Sequence, residues 1–413
     1  MAIIGIGIGF SAILFLSFKK VNLGVGFFVG TVVAGLASGL GVGQVFQNIL
    51  LGIFSKDSLQ LMVTISLISG MGSLLKQTGD LEQIVNSLIN LLNNNKLLTI
   101  IFPIVFGTLN VPGGAIFSAP LIEDSAERIN LDPHQKTAVN VFFRHIALFI
   151  YPLFTCLIIA SELANVDKYQ IIKFNLLVFF VGFISFYYLI FKINPKLDKT
   201  QIKREVESGG KAKYIVTFLK GFSPVLIILL ISFLINLPFY LSVVGGLLLG
   251  AGRRLPPDQK HKVFFGRLKD FLFKGINYNL TLLIMGVMAF KSMVEGSGAI
   301  DIITVLLSDF NFSLIIPIIL LTSIVAMITG FYPAALGISI PIFLPMIPPE
   351  SKVIYTSLIF DFAFLGYLLS PLHLCLALTK EYFAANWLPV YRYLFPPVVL
   401  MAIAAIIQAI LLV

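Results

Sequence analysis

A run of about 20 apolar residues is long enough to cross the hydrocarbon core of a bilayer, and this chain consists largely of such runs. Inside lipid every backbone N–H and C=O must find its partner within the protein, so only helices and closed barrels can span it. Barrel strands would read as alternating segments of about ten residues; the apolar stretches here are continuous. The sequence therefore predicts an all-α polytopic membrane protein. Composition agrees, with 58% hydrophobic and 12% charged residues, against about 25% charged in soluble domains. Spans are expected near 2–18, 21–40, 58–75, 138–163 and 170–192, then near 215–235, 237–252, 276–295, 353–378 and 390–412. The opening MAIIGIGIGFSAILFLSFKK lacks the basic leader and small-residue cleavage site of a signal peptide, so the first helix is expected to stay.

Two stretches break this pattern. TLNVPGGAIFSAP (Thr108–Pro120) holds two prolines, two adjacent glycines and several polar residues between greasy runs. TGFYPAALGISIP (Thr329–Pro341) repeats its Thr, Pro, Ser, Pro spacing. Irregular backbone at membrane depth survives only where it is buried in protein or lines a wet cavity. What it offers is free helix ends: N–H groups and a positive dipole end for anions, and unwound carbonyls for a cation. On this reading Thr108, Asn110, Pro112, Gly113, Gly114 and Ser118 line one tip, and Thr329, Gly330, Pro333 and Ser339 the other. The alternative is a pair of ordinary kinks, since Gly and Pro are frequent in membrane helices.

The two halves repeat each other. PLFTCLIIASE (Pro152–Glu162) aligns with PLHLCLALTKE (Pro371–Glu381), and both cysteines of the chain, Cys156 and Cys375, fall in register. SLLKQTG and SMVEGSG match more loosely through Ser73/Ser292 and Gly79/Gly298. Such self-similarity is the trace of a duplicated transporter fold. Both cysteines sit in apolar runs, so a disulfide framework is not expected. The expected organisation is a first transmembrane repeat over 1–193 with a hairpin at about 97–121. A linker follows at 194–213, then a second repeat over 214–413 with a hairpin at about 312–346.

Net charge is +9, but the basic residues lie in short loops, which the positive-inside rule explains better than nucleic-acid binding. Lys19 and Lys20, the linker (Lys196, Lys199, Lys203, Arg204, Lys211, Lys213) and the loop with Arg253, Arg254, Lys260, Lys262, Arg267 and Lys269 are assigned to the cytoplasm. Five full spans per half with re-entrant Pro stretches satisfy all three assignments and invert the halves. Counting each Pro stretch as a full span would make them parallel, and charge alone does not decide.

Asp361 stands alone in an apolar run, and Arg144 and His145 open the fourth span. A charge inside the membrane is expensive and normally paired or functional. Asp361 is expected to face the cavity between repeats, pairing with Arg144 or binding a proton or sodium ion. The alternatives are a structural pair, or an Arg144 that snorkels to the interface. His145 and His373 are weaker candidates, since a single histidine is more often a satisfied core residue. Glu162 and Glu381 lie at span ends and read as solvated; Trp387, Tyr391, Arg392 and Tyr393 read as an interfacial anchor. His and Cys are too few and scattered to suggest a metal centre or cofactor. No GxxxxGK[ST] for ATP and no hydrolase pattern is present, so an enzyme is not expected.

The stretch NVPGGAIFSAPLIEDSAERINLDPHQKTAVNVFFRHIALFIYPL (110–153) resembles the most recognisable block of a prokaryotic membrane-protein family of unknown function. That family is grouped in the ion transporter superfamily, near the gluconate, dicarboxylate and arsenite carriers. The resemblance implies two inverted repeats, each with a re-entrant hairpin, and secondary transport of a small anion coupled to Na+ or H+. It places the hairpin tips at Asn110 to Gly114 and Phe331 to Ala335, and relatives suggest a homodimer. Neither tip carries the Ser-Asn-Thr signature of the dicarboxylate carriers. The expected function is alternating-access transport of a small anionic solute in the cell inner membrane. An uncoupled channel or exporter, or a non-transporting membrane protein, is the alternative.

Overall fold

The computed structural model describes residues 1–19, 21–92, 94–109, 114–192, 210–234, 239–298 and 313–412. Among them every regular element is helical. The first half comprises α1 (Ala2–Phe18), α2 (Leu23–Ala37), α3 (Val42–Phe54), α4 (Lys56–Ser69), α5 (Met71–Gln77), α6 (Asp80–Leu91), α7 (Asn95–Thr108), α8 (Gly114–Glu127), α9 (Pro133–Ile146), α10 (Thr155–Ala164) and α11 (Lys168–Phe191). The second comprises α12 (Lys211–Leu234), α13 (Phe239–Ala251), α14 (Lys260–Asp270), α15 (Tyr278–Gly296), α16 (Ile315–Thr329), α17 (Tyr332–Phe343), α18 (Lys352–Leu369), α19 (Leu374–Tyr382) and α20 (Trp387–Leu412).

Five helical stretches are long and apolar enough to cross a membrane: Lys56–Gln77, Lys168–Phe191, Lys211–Ser232, Pro349–Tyr382 and Trp387–Leu412. Pro257–Gly275 and Tyr278–Gly296 make a sixth if taken as one span bent by 58°. This is the inventory of a multi-pass membrane protein, with fewer full-length spans than the ten expected. The apolar runs at 21–40 and 237–252 form helices of 15 and 13 residues. At 1.5 Å per residue the shorter is about 20 Å long, less than the roughly 30 Å core.

The expected continuous spans 138–163 and 353–378 are each broken. α9 ends at Ile146, a 3₁₀ turn covers Ala147–Phe149, and helix resumes only at Thr155. α18 ends at Leu369 and α19 begins at Leu374. Pro152 and Pro371 explain both gaps: proline lacks an N–H and drives the preceding residue out of the helical region. Ser370 accordingly sits at φ −67°, ψ 130°. The two prolines that mark the repeat in the sequence are the points where the helices open.

α7 packs on α8 and α16 on α17, forming the two helical pairs that contain the Pro stretches. The contacts then cross between halves: α10 packs on α17, and α19 packs on α8 and α9. α9 and α18 occupy the centre, buried from Gln135 to Ile146 and from Tyr355 to Gly366. α9 starts cleanly because Asp132 accepts N–H bonds from His134 and Gln135, while Gln135 returns a bond to the Asp132 N–H, a capping box.

The halves are also tied by a charge cluster. Asp80, fully buried at the start of α6, accepts from Arg254 at 2.7 Å and from Thr78 Oγ1 at 2.7 Å, with Arg253 at 3.4 Å. Arg254 also donates to the Thr78 carbonyl at 2.8 Å and to Gln83. Arg267 donates to the Ala251 carbonyl at 3.0 Å. Three residues of the basic loop, Arg253, Arg254 and Arg267, are thus committed to hydrogen bonds. Removing one partner of a buried ion pair costs about 3–5 kcal/mol. Arg253 and Arg254 are partly solvated, so Asp80→Ala is expected near the low end. The thermal midpoint in detergent should fall clearly, whereas Asp258→Ala on the exposed loop should not move it.

Candidate functional site

A cavity of about 210 Å³ lies where the two breaks meet. Arg144 and His145 reach it from the end of α9, Thr155 and Cys156 from the first turn of α10, Tyr332 and Pro333 from the start of α17, and Cys375 from the first turn of α19. Tyr367 of α18 closes one wall. A recess of about 230 Å³ adjoins it, sharing Asn277, Leu280 and Phe331 and adding Asn22 and Asn279. Asn22 donates to Asn279 there at 2.9 Å.

Three helices begin at this cavity. Each has an apolar or unbonded residue at its N-cap: Phe154, Phe331 and His373 make no side-chain capping bond. The first backbone bond of α10 is Ile158 N–H to the Phe154 carbonyl, and that of α19 is Ala377 N–H to the His373 carbonyl. The N–H groups of Thr155, Cys156 and Leu157, and of Leu374, Cys375 and Leu376, precede those bonds and have no helical acceptor. The positive ends of the helix dipoles point the same way. Arg144 adds a full charge. It is 7% exposed, forms no ion pair among the described residues, and its Nη1 has no hydrogen-bond partner. Positive charge with unused donors is what an anion requires.

The sequence offers His and Cys too few and too scattered to suggest a metal centre, yet one donor atom each of His145, His373 and Cys375 lies within 4.8 Å of the others. His145 Nδ1 meets the Val141 carbonyl at 2.7 Å. A carbonyl only accepts, so Nδ1 carries the proton and Nε2 keeps its lone pair. Tyr367 OH lies 3.4 Å from that Nε2. The His373 ring packs on Tyr367 at 3.9 Å between centroids and on His145 at 4.7 Å.

The other expected residues divide. Pro333 lines the cavity with Arg144 and His145. Asn110, Pro112 and Gly113 lie outside the described residues, and Gly114 starts α8. Thr108 bonds back to the Val105 carbonyl and Thr329 to the Val325 carbonyl, each closing its own helix. Thr329 Oγ1 also accepts the Phe331 N–H at 3.3 Å. Ser118 donates to Asn140 at 2.7 Å, and Asn140 donates to Thr379 at 3.1 Å, a chain linking α8, α9 and α19. Ser339 is fully buried with its hydroxyl unbonded. Asp361 does not line the cavity and forms no ion pair with Arg144. It is 1% exposed, and neither carboxylate oxygen has a partner. Its neighbour Phe360 accepts the Tyr332 hydroxyl at 2.9 Å, so one aromatic residue separates cavity wall from carboxylate. Tyr332 falls within the expected tip Phe331 to Ala335, whereas Thr155, Cys156, Tyr367 and Cys375 are not among the expected site residues. The aligned Pro-Leu-x-x-Cys segments held the signal for the cysteines, through the helix-breaking prolines before them.

Two glycines set the close approaches at the site. A Cβ on Gly107 would stand 2.1 Å from the Arg144 carbonyl oxygen. Gly330 has φ +60°, and a Cβ there would lie 2.6 Å from Leu372 in the second break. Gly107→Ala and Gly330→Ala should each destabilise by more than about 1 kcal/mol. Gly43→Ala, whose Cβ meets nothing within 4 Å, should be neutral or mildly stabilising; thermal midpoints compare all three.

No curated protein matches the chain. The model of a family described as a protein of unknown function, DUF401, matches residues 7–413, and the chain belongs to that family.

Proposed function

We propose that the chain is a secondary transporter of a small anion. The observation that carries this is the Arg144 guanidinium, buried without an acidic partner among the described residues, in a cavity where three helices begin. Oriented N–H groups and helix dipoles form an anion site without further machinery. At about 210 Å³ the cavity is smaller than the roughly 300–1,000 Å³ of drug-sized sites, which favours an inorganic or short organic anion.

The architecture we propose is two inverted repeats, with α7–α8 and α16–α17 as re-entrant hairpins, as in the ion transporter superfamily. The crossed packing supports it: the half-helix of each repeat lies on the second arm of the other repeat's hairpin. Discontinuous helices at a repeat interface are where such carriers bind substrate and coupling ion. The linker 194–213 is cytoplasmic in this reading, the membrane is the cell inner membrane, and the assembly is a homodimer. Asp361, buried with two unbonded oxygens, is the site for the coupling Na+ or H+: an ionised carboxylate at that depth needs a cation.

Thermal stabilisation of the purified protein against a panel of anions, with and without sodium and at two pH values, tests this. A ligand at a hundred times its Kd adds about 2.7 kcal/mol. One anion should raise the midpoint, Arg144→Gln should abolish the shift, and Asp361→Asn should remove its dependence on sodium or pH. Absence of a shift with every anion would overturn the anion site. A shift that ignores sodium, pH and Asp361→Asn would turn the reading to an uncoupled channel.

A further inference from the structure

An anion held by Arg144 and the helix ends leaves three donors beside the cavity unused. We infer that His145, His373 and Cys375 bind one d10 transition-metal ion, Zn(II) or Cu(I).

The donor atoms already lie within 4.8 Å of one another. Zinc binds at about 2.0–2.3 Å from N and S, so ordinary side-chain rotation closes the set. The set contains two imidazoles, one thiol and no carboxylate. Thiolate and imidazole suit zinc and copper, whereas magnesium, calcium and manganese prefer oxygen ligands.

His145 is prepared for the role. Its Nδ1–H is fixed on the Val141 carbonyl at 2.7 Å, the bond by which metal-binding histidines are usually oriented. That leaves the Nε2 lone pair free, with Tyr367 OH at 3.4 Å as the contact that the metal would replace. His373 is fully buried, and neither ring nitrogen forms a hydrogen bond of ordinary geometry. A buried polar group without a partner is costly, and a metal ion would be the partner. His373 and Cys375 come from the second break and His145 from the end of α9, so the ion would staple one broken helix to the other.

Charge narrows the choice of ion. Arg144 lines the same cavity and repels a bare dication. The Cys375 thiolate offsets one positive charge, leaving Cu(I) neutral and Zn(II) at +1. Zinc on three protein ligands keeps a fourth position open, available to the anion beside Arg144. The inference rests on donor geometry, not on transport, and metal binding alone tests it.

Full-length protein purified in detergent under reducing conditions is equilibrated with Zn(II) or with Cu(I), freed of excess and assayed for bound metal. The expected result is about one ion of at least one metal per chain, with nitrogen and sulfur neighbours by X-ray absorption. His373→Gln and Cys375→Ser should each weaken binding about tenfold or more, while Cys156→Ser retains it. Metal content near zero for both ions overturns the proposal, as does unchanged affinity in the two ligand variants. If those variants aggregate, Co(II) titration of the unmodified protein decides. A thiolate-to-cobalt charge-transfer band that disappears on adding Zn(II) or Cu(I) supports the site; absence of that band together with no uptake of Cu(I) overturns it.

Discussion

Backbone groups left open at membrane depth cost several kcal/mol each unless something satisfies them. The two proline breaks, after Ile150 and after Leu369, impose that cost at two places, and much of the architecture answers it. In the second break Ser370 Oγ donates to the Met327 carbonyl at 2.6 Å and accepts the Leu372 N–H at 3.1 Å. In the first, the Phe154 N–H turns back to the Tyr151 carbonyl at 2.9 Å. Neither break could stand in lipid. The cavity forms where residues flanking the two breaks come together, while Leu372 and Leu374 of the second remain exposed.

The same constraint explains α9. PHQKTAVNVFFRHI is too polar to pass as a membrane span, yet nearly every residue is buried. Its polar groups are matched one by one: Lys136 to Glu127 at 2.8 Å, Gln135 to Tyr393 at 3.2 Å, Asn140 to Ser118 and Thr379. A network satisfied in this way fixes one arrangement of the helices it joins. Arg144, at the end of the same helix, is the exception. Its neighbours along α9 are bonded, whereas its Nη1 has no partner among the described residues.

The helical class is legible in the sequence because it depends on local chemistry: long apolar stretches in a medium where backbone groups must pair internally. The broken spans were not read, although Pro152 and Pro371 were in plain view. A run of apolar residues gives the same hydropathy whether its helix continues or opens, and prolines are common in membrane helices. The His–His–Cys cluster was hidden for a different reason. Its members come from opposite halves, and only the crossing of α9 with the second break brings them together. Asp80 escaped notice for the same cause, since its arginine partners lie beyond α13.

Asp361 and Arg144 raise a last energetic question. Paired, they would neutralise each other; instead both are buried and neither has a counter-ion among the described residues. Removing one partner from a buried pair ordinarily costs about 3–5 kcal/mol, and here each group stands in the position of the partner left behind. Under the transport reading this strain has a use. Anion at Arg144 and cation at Asp361 each relieve one charge, and the Tyr332–Phe360 contact that lies between them belongs to the wall of one site and the helix of the other. A vacant Arg144 keeps its charge, since a guanidinium does not deprotonate, whereas a vacant Asp361 can take a proton, so the anion relieves the cost that the chain cannot relieve by itself. Coupling would then follow from the attraction between the bound anion and the bound cation in a low-dielectric interior, without direct contact between the two ions.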